Sequence, residues 1–314
     1  MESMKKIPVI IDCDPGVDDA YAIALAHSAP QFNIVAITAV EGNMPASITR
    51  KNALCISQTL GIDCRVAFGA EKPLHKPYHR DASGTHGNSG VGSIVFPDPQ
   101  KKPDERPAWD VIYEEAVKHG GELVLFAVGP LTNIAIALQK HPDLPRYIKR
   151  FYIMGGGTFG NVGAAEFNIW VDPTAAKEVF SKLNVYMVGL NATHAAGLSG
   201  QDFDEMIRIC SRSVQNWMLL ELSKFSKMNS MENGHDNNII HDALAVAAAL
   251  NPEVVTFEEY YVEVEDRDNA PNNGETVVDL QHTSGKKPNC HVAMQVNQPL
   301  FVSMLKSMCE HYNQ

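Results

Sequence analysis

The sequence lacks features that would place the chain in a membrane or outside the cell. It has no uninterrupted apolar run of the roughly 18–20 residues that a membrane-spanning helix needs. Residues 1–6 lead directly into an apolar run at residues 7–11, which differs from the long apolar core of a secretory signal. The six cysteines include no C-x-x-C pair, so neither a zinc site nor a disulfide framework is indicated. These absences predict a cytoplasmic protein with reduced thiols and no membrane contact.

Positive charge is also scarce. The 314 residues carry 26 Lys and Arg against 37 Asp and Glu, a formal net charge of −11. Without a basic stripe to neutralise phosphates, nucleic acid is not an expected partner, whereas neutral small molecules and cations remain compatible. Phosphate-cradle motifs, internal repeats, low-complexity tracts and linkers are absent as well. The chain is therefore predicted to form a single domain over residues 1–314.

Acidic residues are concentrated in one short stretch, where four aspartates fall within residues 12–19. The preceding apolar run, residues 7–11, is typical of a buried strand. Pro15-Gly16 turns the chain, and a helical pattern follows from about Ala20. The aspartates thus lie where a strand ends and a helix begins, which is where ligands bind in open α/β sheets.

A helix N-terminus favours nearby negative charge, which accounts for Asp18 and Asp19 but not for Asp12 and Asp14 as well. Like charges at this spacing repel one another unless a cation neutralises them. Hard oxygen ligands suit Ca²⁺ or Mg²⁺, so a divalent-cation site is the sharper interpretation. A capped helix with solvated acids remains the alternative.

Strands and helices alternate through the first half of the chain. Strands are predicted at residues 33–40, 65–68, 122–128 and 149–154, with helices at 45–60 and 109–118 among those between them. This order predicts an α/β fold with an open and mostly parallel sheet flanked by helices. Further along, a long helical region is predicted at residues 201–227 and a strand at 258–264.

Two stretches without periodicity are expected to be functional loops, at residues 69–106 and 228–238. The first contains His86 among three glycines. The second leads into His241-Asp242, which opens an apolar helix. An acid buried at such a helix start needs a partner, so Asp242 is the leading candidate to complete the cation site, with a plain helix cap as the alternative.

Five ordered motifs together resemble one known family. The chain is similar to the inosine–uridine preferring nucleoside hydrolases from Pro8 to about Asn251. The resemblance implies a Rossmann-like open α/β sheet, association into homodimers or homotetramers, bound Ca²⁺, and hydrolysis of the N-glycosidic bond of ribonucleosides to ribose and free base, for nucleoside salvage. The motifs are DCDPGVDDA at 12–20, GPLTN at 129–133, MGGG at 154–157, AEFN at 165–168 and HD at 241–242.

The resemblance also implies roles for individual residues. Asp14 would act as general base on a calcium-bound water, and His241 would act as the leaving-group acid. The implied calcium ligands are Asp14, Asp19, Asp242 and the backbone carbonyl of Val128. The implied substrate contacts are Asp18, Asn43, Asn161, Glu166 and Asn168 at the ribose, with His86 and Phe167 at the base.

The chain departs from the family pattern at three places. Val128 stands where many members have Thr, which should matter little because the ligand is a carbonyl. The spacing between Asn161 and Glu166 is one residue shorter than in many members. Asn191 stands where Asp is common, within residues 188–194 (VGLNATH), and the sequence offers no physical reason for it.

Two other functions are compatible with parts of the pattern. Asp12-Cys13-Asp14 after a strand is the Asp-x-Asp of haloacid-dehalogenase-like phosphatases, although Gly16 stands where that motif has Thr or Val. A calcium-dependent nucleoside-binding protein without turnover would share the binding residues. Release of phosphate would favour the first and absence of free ribose the second.

Overall fold

Twelve strands and twelve α-helices are assigned in the computed structural model, which describes residues 5–75, 82–157, 159, 165–232 and 237–313. The strands are β1 (Ile7–Cys13), β2 (Phe32–Ala39), β3 (Arg65–Phe68), β4 (Leu123–Ala127), β5 (Ile148–Met154), β6 (Val185–Val188), β7 (Leu198–Ser199), β8 (Asn237–Asn238), β9 (Val255–Tyr260), β10 (Val262–Val264), β11 (Thr276–Val278) and β12 (Cys290–Val296). The helices are α1 (Val17–Ser28), α2 (Ala46–Thr59), α3 (Ser83–His86), α4 (Ala108–Lys118), α5 (Thr132–Lys140), α6 (Phe167–Val171), α7 (Pro173–Lys182), α8 (Leu190–Ala195), α9 (Gly200–Cys210), α10 (Trp217–Glu232), α11 (His241–Leu250) and α12 (Gln298–His311).

The main sheet has eight strands in the order β3-β2-β1-β4-β5-β6-β12-β9. Every neighbouring pair is parallel except β12 with β9, which is antiparallel. Asp12, near the end of β1, lies in register with Thr38 on β2 and Ala127 on β4. The open, mostly parallel sheet predicted from the alternating pattern is confirmed.

Alternate residues of β1 pack on opposite faces of this sheet. Val9 and Ile11 belong to the core shared with α1 and α11, whereas Ile10 belongs to the core shared with α4, α5 and α7. A strand buried on both faces is expected to be a continuous apolar run, which is what residues 7–11 show. β1 is therefore packed on both faces of the sheet, and this packing fixes the position of its carboxyl end. Of the described helices, none is long and apolar enough to cross a membrane.

Two predicted elements are divided in the structure. The helical region at residues 201–227 is α9 followed by a 3-10 turn, Val214–Asn216, and then α10. The Ser213 hydroxyl accepts a hydrogen bond from the N–H of Gln215, which satisfies a backbone group at the start of the new helix. Because α10 continues to Glu232, the predicted 228–238 loop begins as helix.

The predicted strand at residues 258–264 is also two strands. β9 joins the main sheet, whereas β10 pairs with β11 in a separate two-stranded sheet. Asn289 separates them, because its side chain accepts from the N–H of Val262 at 2.8 Å and donates to the carbonyl of Val262 at 3.0 Å. At Val262 the side chain of Asn289, rather than a neighbouring strand of the main sheet, is therefore the hydrogen-bond partner of the backbone.

Candidate active site

The parallel strands bring several polar loops to one edge of the sheet. β1, β2, β4 and β5 end at this edge, and the segments that follow them carry Asp14, Asn43, Val128 and the glycines at 155–157. The carboxyl edge is the usual ligand site of such sheets, because loops from adjacent parallel strands converge there. A cavity of about 400 Å³ opens at this edge.

Asp14 is held by backbone groups from two directions. The N–H of Asn43 donates to Oδ2 of Asp14 at 2.6 Å, and the N–H of Asp14 itself donates to Oδ1 of Asp19 at 3.1 Å. The N–H of Gly16 donates to the other oxygen of Asp19 at 2.7 Å. Both carboxylates are fully buried, so the turn at Pro15-Gly16 folds around them.

Two glycines allow the chain to approach Asp14 closely. A Cβ at Gly129 would lie 2.7 Å from Oδ1 of Asp14, and a Cβ at Gly42 would overlap Oδ2 of the same residue. Any side chain at either position would displace the carboxylate. Gly129 comes from the GPLTN segment, so the structure gives a steric reason for the glycine in that motif.

Asp18, Asp19 and Asp242 form a cluster in which one carboxylate oxygen from each lies within 4.8 Å of the others. Burial first, and then the neighbouring carboxylates, raise the pKa values of Asp14 and Asp242 well above their usual range, and burial raises the pKa of Asp19 to about 7. Oδ1 of Asp14 is buried without a hydrogen-bond partner in the described part of the chain. An unpaired oxygen beside crowded, desolvated carboxylates is what a hard cation would neutralise, so the residues present fit such an ion.

The predicted metal ligands therefore come together from both ends of the chain. Asp242 opens α11 and is 2 % exposed. Val128 follows β4 and lines the cavity, and its carbonyl accepts from Nδ2 of Asn168 at 2.9 Å. Asp18, for which the sequence indicated a ribose contact, also belongs to the carboxylate cluster.

Asp12 supports this site without lining the cavity. Its Oδ1 accepts hydrogen bonds from the hydroxyl of Thr38 at 2.5 Å and from Nδ2 of Asn133 at 2.8 Å. Burial raises the pKa of Asp12 to about 7, against the effect of these two donors. Asn133 also accepts from the N–H of Ala70 at 2.8 Å. Sequence reasoning did not assign Thr38 or Asn133 a role, although Asn133 ends the GPLTN motif and could have been noticed there.

Glu166 and Asn168 form one wall of the cavity. Glu166 precedes α6, and its side chain accepts from the N–H groups of Asn168 at 2.8 Å and Ile169 at 3.1 Å. Burial raises the pKa of Glu166 to about 7, although three backbone N–H groups act against this. Asn168 donates to the carbonyls of Val128 and Met154, which joins α6 to the ends of β4 and β5. Asn161 lies outside the described residues.

Two histidines, His86 and His241, line the cavity. The N–H of Val17 donates to Nδ1 of His86 at 3.2 Å, and Nδ1 of His241 lies 2.9 Å from the Thr193 hydroxyl oxygen. Desolvation lowers the pKa of His86 and lowers that of His241 to about 4, partly opposed in both by Asp18. Burial therefore favours the neutral form of both rings.

Further side chains complete this part of the cavity. Phe167, predicted at the base side, lines it together with Phe225 and Asn229 of α10. Phe225 was missed, because a helix-period pattern gives no sign that one face of the helix borders a ligand site, whereas Asn229 falls within the predicted functional loop at residues 228–238. Of the predicted site residues, those lining the cavity are Asp18, Asn43, His86, Val128, Glu166, Phe167, Asn168, His241 and Asp242.

This geometry agrees with a comparison against known families. Residues 9–303 match the family model described as inosine-uridine preferring nucleoside hydrolase. The chain belongs to this family. The resemblance indicated by the five motifs is thus confirmed.

Named relatives of this nucleoside hydrolase are enzymes. It is 36 % identical to the pyrimidine-specific ribonucleoside hydrolase RihA of Escherichia coli (strain SMS-3-5 / SECEC), over 98 % of this chain and 99 % of that one. It is 37 % identical to the non-specific ribonucleoside hydrolase RihC of Klebsiella pneumoniae, over 93 % and 94 %. The solved purine-preferring ribonucleoside hydrolase from Gardnerella vaginalis matches with a TM-score of 0.88 and 29 % identity, over 98 % and 99 %. The chain is accordingly an N-glycosyl hydrolase of the ribonucleoside hydrolase family.

Proposed function

We propose that this hydrolase depends on Ca²⁺ and cleaves ribonucleosides of the inosine and uridine type to ribose and free base, in nucleoside salvage. The observation that carries the proposal is the state of Asp14. Its carboxylate is fully buried, one oxygen is held by the N–H of Asn43, and the other has no hydrogen-bond partner within the described residues. Such a group needs a positive charge nearby.

Asp14, Asp19, Asp242 and the carbonyl of Val128 are proposed to hold the cation. All four supply oxygen, which is the donor type that Ca²⁺ prefers. When bound, Ca²⁺ supplies positive charge that neutralises the carboxylates and makes a nearby water more acidic. The backbone hydrogen bonds to Asp14 and Asp19 fix the two carboxylates before any ion enters.

Asp14 is proposed to take the proton from the attacking water. The water oxygen forms a bond to the anomeric carbon of ribose, and the bond from that carbon to the base nitrogen breaks with its electron pair passing to the base. The base takes up one proton from solvent to become the free base, and Asp14 releases the proton that it took from the water, so the hydroxyl of the water ends on ribose and one proton ends on the base. The sugar carries positive charge in the transition state, as in other glycoside hydrolysis. Asp18 and Glu166 border the cavity and would stabilise that charge.

Ribose binding is assigned to the polar wall of the cavity. Asp18, Asn43, Glu166 and Asn168 offer carboxylate and amide groups that suit a diol, and Asn161 is proposed to join them. Hydrogen bonds from hydroxyls to buried charged groups contribute about 1.5–3 kcal/mol each. Binding energy of this size allows the enzyme to recognise its substrates by the sugar rather than by the base.

The resemblance implies that His241 is the leaving-group acid; because burial lowers its pKa to about 4, it is proposed to act on the departing base as a neutral hydrogen-bond donor, with His86 and Phe167 on the base side. Both histidines and the phenylalanine line the cavity. Because the His241 ring is neutral, it donates from a single N–H rather than as an imidazolium ion. An N–H aimed at the base stabilises the negative charge that develops as the bond to ribose breaks.

A panel of purine and pyrimidine ribonucleosides tests the proposal. The purified enzyme is assayed for reducing sugar with added Ca²⁺, with a chelator, and with the chelator followed by excess Ca²⁺. We expect ribose release that the chelator abolishes and Ca²⁺ restores. Full activity in the chelator would contradict the calcium assignment, and restoration by Mg²⁺ alone would assign the site to a different ion.

The working form is proposed to be a cytoplasmic homodimer or homotetramer built from a single catalytic domain over residues 1–314. This assembly is what the family resemblance implies. Light scattering on a sizing column tests it: a mass near 34.4 kDa, that of one chain, would contradict an oligomer.

A further inference from the structure

Helix α8 borders the cavity but has no role in the reaction described so far. It follows β6 and corresponds to the segment in which Asn191 departs from the family pattern. The N–H of Leu190 donates to the carbonyl of Gly156 at 2.8 Å, and Nδ2 of Asn191 donates to the carbonyl of Ala293 at 2.6 Å. An aspartate at 191 could not make the second bond, because a carboxylate has no N–H to donate. These contacts fix α8 between β5 and β12.

Thr193 is the residue of α8 that faces a catalytic candidate. It is 0 % exposed, and its Oγ1 lies 2.9 Å from Nδ1 of His241. Among the residues that the structure describes, His241 is the hydrogen-bond partner of this hydroxyl. The ring of His194 lies edge-on to His241 at 6.2 Å between centroids, which is too far for a hydrogen bond.

The burial of Thr193 decides which atom donates. A buried hydroxyl needs an acceptor for its single proton, since leaving a buried donor unpaired is unfavourable by roughly 1–3 kcal/mol. If Nδ1 of the ring carried a proton and donated to Oγ1, the hydroxyl proton would require a second acceptor. If the hydroxyl donates to an unprotonated Nδ1, both groups are satisfied by the one contact.

We propose that Thr193 is a positioning residue that holds His241 in the tautomer with its proton on Nε2, so that the N–H is presented to the leaving base. The inference rests on the proposed function, in which His241 donates to the base. It extends that function by naming the group that sets which ring nitrogen donates. In a neutral imidazole, fixing Nδ1 as an acceptor fixes Nε2 as the donor.

Two substitutions separate the effect of the Thr193 hydroxyl from the effect of the shape of the side chain. Thr193→Val keeps the branched side chain and removes the hydroxyl, whereas Thr193→Ser keeps the hydroxyl and serves as the rescue. Each is assayed with saturating Ca²⁺ on inosine and on p-nitrophenyl riboside, whose leaving group needs no hydrogen-bond donor. His241→Asn is assayed in parallel.

We expect Thr193→Val to lower kcat on inosine about 10-fold, the equivalent of one ordinary hydrogen bond, with KM little changed. Activity on p-nitrophenyl riboside should fall by less than about 2-fold, since the leaving group of this substrate needs no hydrogen bond from His241. Thr193→Ser should retain most of the inosine activity. Equal losses on both substrates, or no loss on either, would overturn the inference.

The His241→Asn variant distinguishes a failure of the role of Thr193 from a failure of the donor role of His241. If His241→Asn loses more activity on inosine than on p-nitrophenyl riboside and Thr193→Val does not, the role of Thr193 is wrong and the proposed function stands. If neither discriminates, the donor role of His241 fails and the inference fails with it. Nitrogen NMR of histidine-labelled protein, assigned by loss of the His241 signal in the variant, provides a readout besides activity: a protonated Nδ1 in the unsubstituted enzyme would also overturn the inference.

Discussion

Asn43 makes two hydrogen bonds to Asp14, from its backbone N–H to Oδ2 at 2.6 Å and from its side-chain amide to the backbone carbonyl at 3.3 Å. The orientation of the carboxylate is therefore set by the segment that follows β2, and its second oxygen stays available. A pre-oriented base loses little entropy when substrate arrives.

Replacement of Asp14 should separate activity from stability. Asp14→Ala removes the proposed base and one metal ligand, so turnover should fall by about 10²–10⁴-fold, the usual contribution of general base catalysis, or more. The metal-free variant should unfold at no lower a temperature, because a desolvated carboxylate among like charges is removed. Ribose release and thermal unfolding in chelator check both statements. Asp63→Ala, at an exposed aspartate, is the control, and near-normal turnover by Asp14→Ala would contradict the assignment.

Calcium should reverse which of two proteins is the more stable, the unsubstituted enzyme or the Asp242→Asn variant. In chelator, Asp242→Asn should be more stable than the unsubstituted enzyme, since it relieves repulsion in the buried cluster. With Ca²⁺ at 100 times its dissociation constant the unsubstituted enzyme should gain about 2.7 kcal/mol, and the variant much less. Differential scanning fluorimetry over a calcium series measures the crossover. Parallel curves for the two proteins would exclude Asp242 as a ligand.

The contact between Asn133 and Asp12 should be important for folding. Asn133→Leu leaves a buried carboxylate without one donor and the N–H of Ala70 without its acceptor. Each unpaired group has an unfavourable contribution of about 1–3 kcal/mol, so the free energy of unfolding should fall by roughly 2–6 kcal/mol. Urea unfolding measures it, with Asn184→Leu at an exposed position as the matched control. Equal effects of the two substitutions would mean that the buried contact adds nothing.

Acid should weaken the attachment of the 69–106 segment. Nε of Arg65 on β3 donates to Asp104 at 2.7 Å, and this hydrogen bond lowers the pKa of Asp104 to about 2. Because the folded pKa is depressed, the stabilisation is present above the unfolded value of about 4 and is lost as the pH falls towards 2.

Arg65→Met should therefore lower the unfolding temperature at neutral pH, and the difference from the unsubstituted enzyme should narrow steadily below about pH 4. Thermal unfolding across a pH series measures it. Lys149→Met, in a half-exposed pair with Glu122, is the control and should show little effect at any pH. A difference that stays constant down to pH 2 would rule out Asp104 as the group concerned.

Local patterns were sufficient to predict the parallel sheet, because strands such as β1 and β4 are continuous apolar runs followed by a turn and a helix. The gathering of Asp14 and Asp242 could be anticipated from residue type and position at element ends. The division of the 258–264 strand could not, because it depends on the side chain of Asn289, which is distant in the sequence. The cavity face of α10 was missed for a related reason: periodicity shows that a helix is amphipathic, not what borders each face.

The close packing of Gly42 and Gly129 on Asp14 has a consequence for how such an enzyme can diversify. Those positions accept no side chain, and the groups they surround are fixed by main-chain hydrogen bonds, so the part that performs the chemistry offers little scope for variation. Phe225 and Asn229 belong to a separate helix across the cavity and carry no such restriction. Under the proposed function, changes in nucleobase preference are therefore expected at residues of α10 rather than around Asp14.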